Sequence, residues 1–107
     1  MLDLHLGQSK DNAAQTIPRF QFGESDHTKV FTRPAFDKSR FPKLSKIEDY
    51  YADASFISEE LPELIKEIDK TINRFSGDVA VVKALQLFRS TCEEAIRTDE
   101  TLFCIAD

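Results

Sequence analysis

The chain has no tryptophan, one methionine, three glycines and two cysteines among 107 residues, and each shortage closes a route to function. Glycines at 7, 23 and 77 cannot assemble a loop that cradles phosphate, so nucleotide binding through a known Gly-rich motif is excluded. Cys92 and Cys104 lie twelve positions apart without a C-x-x-C pair, and neither His5 nor His27 has a companion at metal-ligand spacing. A structural zinc site needs four such ligands, so no metal or other cofactor is expected. Both cysteines fall on apolar faces of their expected elements and read as reduced, buried thiols. No run approaches the roughly 18 apolar residues of a membrane span. Asp3 and His5 break the short apolar N-terminus where a signal peptide would carry bases before a longer apolar stretch. The expectation is a cytoplasmic chain, with no membrane partner.

Acids outnumber bases, 19 to 14. The net charge of −5 argues against general nucleic-acid binding, which requires clustered Lys and Arg. The average conceals two adjoining blocks. From Thr28 to Lys46, six bases (Lys29, Arg33, Lys38, Arg40, Lys43 and Lys46) face the single acid Asp37, a local charge of +5. From Ile47 to Asp69, eight acids (Glu48, Asp49, Asp53, Glu59, Glu60, Glu63, Glu67 and Asp69) face Lys66 alone, a local charge of −7. The blocks either neutralise one another in the fold or present two opposed faces. Phe31, Phe36 and Phe41 interleave with the bases, but they read as core material, because the adjacent negative block would repel phosphate within a Debye length of about 8 Å.

What is present suffices for a core. A hydrophobic fraction of 41% with nine phenylalanines suits one globular domain over residues 1–107. Leu2, Leu4 and Leu6 alternate with Asp3 and His5 as in a half-buried strand ended by Gly7. Gln8 to Gln15 is small and polar and reads as a loop. Ile17, Phe20 and Phe22 alternate again, and Pro18 demotes that segment to an edge strand. Ser25 or Asp26 can cap a short helix through Val30 and Phe31, although Thr28, Val30, Phe31 and Thr32 equally favour a strand; the helix is the preferred reading, and Arg33-Pro34 closes the element. Ser25-Asp26-His27 carries the names of a catalytic triad, but three consecutive residues cannot take its geometry. Phe36, Phe41, Leu44 and Ile47 suggest an irregular segment and then a helical turn or two, followed by a short strand over Ala54 to Ile57.

The second half is more regular. Ser58 is placed as an N-cap, with Glu59, Glu60 and Glu63 at the positive end of the helix dipole. Leu61, Leu64, Ile65, Ile68, Ile72 and Phe75 form one apolar stripe. Gly77 suits a left-handed C-terminal position and Asp78 caps a second helix, whose stripe is Val81, Val82, Leu85, Phe88, Cys92, Ala95 and Ile96. So short a connection makes the helices antiparallel neighbours. Leu102 to Ala106 is a continuous apolar run, as in a strand covered on both faces. The expected fold class is α+β: a small sheet including the first and last strands, packed against a C-terminal antiparallel helical hairpin.

The segment Glu48-Asp49-Tyr50-Tyr51-Ala52-Asp53 is the strongest functional candidate. Tyrosine offers large contact area at modest entropic cost, while carboxylates pair with a basic partner and steer its approach. Glu48, Asp49, Tyr50, Tyr51 and Asp53, extended by Glu59, Glu60 and Glu63, are therefore the expected partner-binding residues. Paired carboxylates are too abundant for any one pair to mark an acid–base couple. Taken together, Met1-Leu2-Asp3-Leu4-His5-Leu6-Gly7, Phe41-Pro42-Lys43-Leu44-Ser45-Lys46-Ile47 with the acidic segment after it, the helix to Phe75, and Leu102-Phe103-Cys104-Ile105-Ala106-Asp107 resemble small bacterial immunity proteins, which neutralise polymorphic or contact-dependent toxins. The resemblance carries no catalytic residues. It implies a non-enzymatic module that binds a basic toxin domain, for instance a nuclease, stoichiometrically. A structural or regulatory homo-oligomeric subunit, and a small enzyme with an acidic cleft, are the alternatives.

Overall fold

The computed structural model describes residues 1–32 and 36–106. In chain order the elements are strand β1 (Leu2–Gly7), helix α1 (Lys10–Ala14), strand β2 (Phe20–Phe22), helix α2 (Glu24–Phe31), a 3₁₀ turn (Leu44–Ile47), strand β3 (Ala54–Phe56), a second 3₁₀ turn (Ser58–Glu60), helices α3 (Leu61–Arg74) and α4 (Val79–Thr98), and strand β4 (Thr101–Ala106). The four strands form one antiparallel sheet in the order β2-β1-β4-β3. The first and last strands are thus its centre, paired from Leu2↔Ala106 to Gly7↔Thr101. Their alternation decides which face is covered. Leu2, Leu4, Leu6, Phe22, Phe56, Leu102 and Cys104 turn to one side and are buried there.

The helical hairpin supplies the other half of that core. Leu61, Leu64 and Ile68 of α3 and Val81, Leu85, Phe88, Cys92 and Ala95 of α4 are buried in one hydrophobic cluster with the inner sheet face. Each large aliphatic so enclosed contributes about 1.5–3 kcal/mol. Phe31, Phe36 and Phe41 belong to the same cluster, so none of the three offers a ring for base stacking. The expected α+β architecture, with the first and last strands in the sheet, is the one observed.

Local readings depart from it in several places. Residues 8–15 are not a plain loop. Ser9 caps α1 by accepting the Asn12 N–H at 3.2 Å, and the helix packs so closely on β1 that a Cβ on Gly7 would lie 2.9 Å from Ala13. Gly7 therefore stands at the strand end because α1 needs the space. The edge strand is shorter than its alternation implied, and Ile17 lies outside it, exposed. Gly23 precedes α2, whose first turn contains Ser25 and Asp26 instead of being capped by them. The expected closure at Arg33-Pro34 falls outside the described residues. Ser58 opens a 3₁₀ turn rather than capping α3; the Glu60 carboxylate takes the Ile57 N–H at 3.0 Å. Gly77 has no positive φ, because the chain reverses through Phe75, whose φ is −109°, and through the Asp78 N–H donating to the Phe75 carbonyl at 2.8 Å. Asp78 caps α4 as expected, accepting from Val81 at 3.1 Å. The left-handed residue is instead Asp99, which ends α4 with φ 54° while Glu100 N–H reaches back to the Ala95 carbonyl. Ile96 is partly exposed at that end.

Candidate docking surface

The tyrosine-bearing segment is built on α2. His27 is buried, its Nε2 is 2.6 Å from the Ile47 carbonyl, and its ring lies against Phe31 at 4.5 Å, Tyr50 at 5.0 Å and Phe22 at 5.5 Å. Burial holds the imidazole below its ordinary pKa, against the upward pull of the Ile47 carbonyl and of Asp49 and Glu48. The neutral ring donates Nε2–H to Ile47, and so joins α2 to the turn that leads into the acidic segment. Tyr50 packs half-buried on that ring, and Tyr51 meets Tyr50 edge-on at 5.4 Å. Tyr51 itself is 74% exposed. Asp49 accepts the Tyr51 N–H at 2.9 Å, which fixes the turn, and the Tyr51 hydroxyl donates to Glu24 at 3.3 Å. The Glu24 carboxylate keeps that phenol above its usual pKa. An exposed aromatic side chain held by a ring contact to its half-buried neighbour, with two carboxylates beside it, is suited to docking.

The other expected contacts are placed differently. Glu48 pairs with Lys38 at 3.2 Å. Asp53 pairs with Lys10 at 2.6 Å and also accepts the Ala106 N–H at 2.8 Å, and these bonds depress its pKa. Glu60 accepts from Lys43 at 3.1 Å and Lys46 at 3.2 Å as well as from Ile57. Glu67 is buried and accepts the backbone N–H groups of Lys43 and Leu44. Lys38, Lys43 and Lys46 of the basic block thus hold Glu48 and Glu60 of the acidic one, while Asp53 is held by Lys10 from outside it. Glu63 reaches only Lys66 on its own helix at 3.8 Å, and Glu59 is exposed with no ion pair among the described residues. Of the eight expected residues, Asp49, Tyr50 and Tyr51 form one cluster, to which Glu24 is added. Glu48, Asp53 and Glu60 are engaged by the chain's own lysines, and Glu59 and Glu63 lie near the start of α3.

Lys46 has a further place. Its ammonium accompanies Glu60, sits 4.4 Å above the Phe56 ring and donates to the Ser55 carbonyl on the open side of β3. A lysine over an edge strand blocks pairing with another strand.

The outer face of the sheet escaped the sequence reading. Leu102 and Cys104 are buried, but Phe103 and Ile105 on the opposite side are only half-buried, so β4 is not fully covered on both faces. Helix α1 covers the His5 and Gly7 end and leaves a shallow cavity of about 180 Å³, lined by Lys10, Asp53, Ser55, Phe103 and Ile105 among others. The signal was available: Asp3 and His5 stand opposite Ile105 and Phe103 in the ladder, and an aspartate on a fully covered face would be costly.

Among the described residues no group of three His, Cys, Asp or Glu side chains is arranged to hold a metal ion, and no buried side-chain polar atom lacks a hydrogen-bond partner. Cys92 and Cys104 are buried and unbridged; desolvation pushes the first thiol up to about 12 and raises the second as well. Such thiols are poor nucleophiles. No helix is long and apolar enough to cross a membrane among the described residues. No protein family, curated protein or solved structure matches the chain.

Proposed function

We propose that this chain is a non-enzymatic binding module of the bacterial cytoplasm, an immunity protein that neutralises a basic toxin domain by one-to-one docking. The observation that carries the reading is Tyr51, 74% exposed yet set edge-on against the half-buried Tyr50, which in turn lies on the buried His27 ring, with the Asp49 and Glu24 carboxylates beside it. Exposed aromatic side chains of fixed orientation are the usual anchors of protein interfaces, and each is worth about 2 kcal/mol or more when central and desolvated. Asp49 and Glu24 supply the negative charge that steers a basic partner, with Glu59 and Glu63 adding to the field. Glu48, Asp53 and Glu60 have secondary roles, because a partner must first displace lysines that already hold them.

Co-expression with a candidate basic toxin domain, sought among the genes next to this one, tests the reading. The wild-type chain should co-purify with that domain and protect the producing cell. Asp49→Lys combined with Tyr51→Ala, both at exposed positions, should keep the fold, losing only the local Asp49 bond to the residue 51 N–H, and lose both effects; Asp49→Asn with Tyr51→Ala, which keeps that bond, should lose them in part. A folded double variant that still protects would remove the assignment of the surface, and a wild-type chain that captures no such domain would remove the function.

A further inference from the structure

The cavity on the outer sheet face takes no part in the Tyr51 surface, and its composition is specific. Its floor is apolar, from Phe103 and Ile105, and its rim carries the Asp53 carboxylate bridged by Lys10. Asp3, held by Gln21 at 3.1 Å, is the ladder partner of Ile105 and adds a second carboxylate to the same face. At about 180 Å³ the space is smaller than the roughly 300–1,000 Å³ of pockets that enclose cofactors or metabolites, and it suits one long side chain. One Asp53 oxygen is fixed by the Ala106 N–H at 2.8 Å, while the other holds a lysine whose side chain is 57% exposed. The carboxylate is thus oriented by the backbone, and its present cation is exchangeable, since exposed ion pairs contribute little.

We propose that this groove receives an arginine of the basic partner, its aliphatic stem lying on Phe103 and Ile105 and its guanidinium replacing Lys10 on Asp53. Arginine fits better than lysine. Its planar fork can engage a carboxylate through two bonds, it stacks on aromatic faces, and it loses less hydration on burial than an ammonium does. Lys10 is then an intramolecular placeholder that keeps Asp53 paired until the partner arrives. This inference rests on the partner being basic, as proposed above.

The probe is the peptide acetyl-Arg-Leu-Arg-Leu-Arg-amide, titrated into the ¹⁵N-labelled full chain and followed by amide chemical shifts, with acetyl-Glu-Leu-Glu-Leu-Glu-amide as control. The expected result is saturable shifts confined to residues 53–55 and 103–106, with none from the acidic peptide. Lys10→Ala should tighten binding about two- to five-fold by removing the competing cation. Asp53→Asn should weaken it, and Ile105→Lys should abolish it; should that variant melt early, Ile105→Thr keeps the strand and still removes apolar floor. Absence of saturation, equal binding of the acidic peptide, or unchanged affinity in Lys10→Ala would overturn the proposal. Shifts at residues 49–51 with 103–106 silent would overturn the groove while leaving docking through Tyr51 intact.

Discussion

Replacing Glu67 tests how the acidic surface is held to the helical core. Its carboxylate is buried on α3, and Oε1 accepts both the Leu44 N–H at 2.9 Å and the Lys43 N–H at 3.0 Å. Those two donors open the 3₁₀ turn from Leu44 to Ile47, whose last carbonyl receives His27 and whose continuation is the Tyr50–Tyr51 segment. Glu67→Leu keeps a side chain able to pack but strands two donors, one of them buried. Each orphaned buried group costs about 1–3 kcal/mol, so a loss of roughly 3 kcal/mol is expected, toward the upper part of the range for one substitution. Glu67→Gln should behave otherwise. An amide oxygen in the place of Oε1 can still accept both bonds; what is lost is the second contact of the Lys43 N–H, with Oε2 at 3.2 Å, and the assistance from charge, about 1 kcal/mol in all. Urea unfolding followed by circular dichroism separates the two. With a slope near 1.5 kcal/mol per molar, typical of a small domain, the leucine variant should unfold about 2 M earlier and the glutamine variant about 0.7 M earlier. A leucine variant within about 0.5 kcal/mol of wild type, or a glutamine variant no better than leucine, would refute this account of the turn.

Gly7→Ala places a Cβ 2.8 Å from Asn12 Oδ1 and 2.9 Å from Ala13, so thermal unfolding should show about 1–3 kcal/mol of destabilisation. Gly77→Ala meets open space and no positive φ, so it should be neutral or stabilise by up to about 1 kcal/mol in the same assay. Burial lowers the His27 pKa in the folded state, so the unfolded chain binds the proton more readily and stability should fall as pH drops below the ordinary histidine value of about 6.5. In His27→Gln that slope should shrink, whereas an unchanged slope would assign it elsewhere. Cys92 and Cys104, buried with raised pKa values, should resist a thiol reagent in the native state and react at the rate of unfolding; rapid labelling without denaturant would contradict their placement.

The parts of the fold that the sequence revealed are those whose burial follows a simple period. The stripe from Leu61 to Ile72 and the one from Val81 to Ala95 each repeat over several turns, and Leu2, Leu4 and Leu6 alternate cleanly, so their inner faces could be assigned without coordinates. Helix α1 is different. It is five residues long and mostly polar, and it owes its position to the Ser9 cap and to the close approach of Ala13 and Gly7, a tertiary contact that no local pattern encodes. Gly77 was open to a left-handed reading because glycine permits it, yet the hairpin turns without using that freedom.

The acidic segment was legible as composition but not as a surface. A run of charges does not reveal which members meet the preceding lysines, and that pairing is decided by how the 3₁₀ turn folds back on the start of α3. Lys43 and Lys46 reach Glu60 because the turn is pinned by Glu67, and Lys10 reaches Asp53 only because α1 lies on the sheet. The proposed docking surface is therefore narrower than the charge count implied, and it is centred on Tyr51 with Asp49 and Glu24. The outer-face groove could have been anticipated from Asp3 facing Ile105, but only once β1 and β4 were known to be neighbours in register.

The most direct test of docking through this surface is calorimetric titration of the purified toxin domain with the wild-type chain and with the Asp49→Lys, Tyr51→Ala variant. Two anchors of about 2 kcal/mol each predict one-to-one binding by the wild type and an affinity at least about a hundredfold lower in a variant with unchanged circular dichroism. Equal affinities for the two proteins would contradict it.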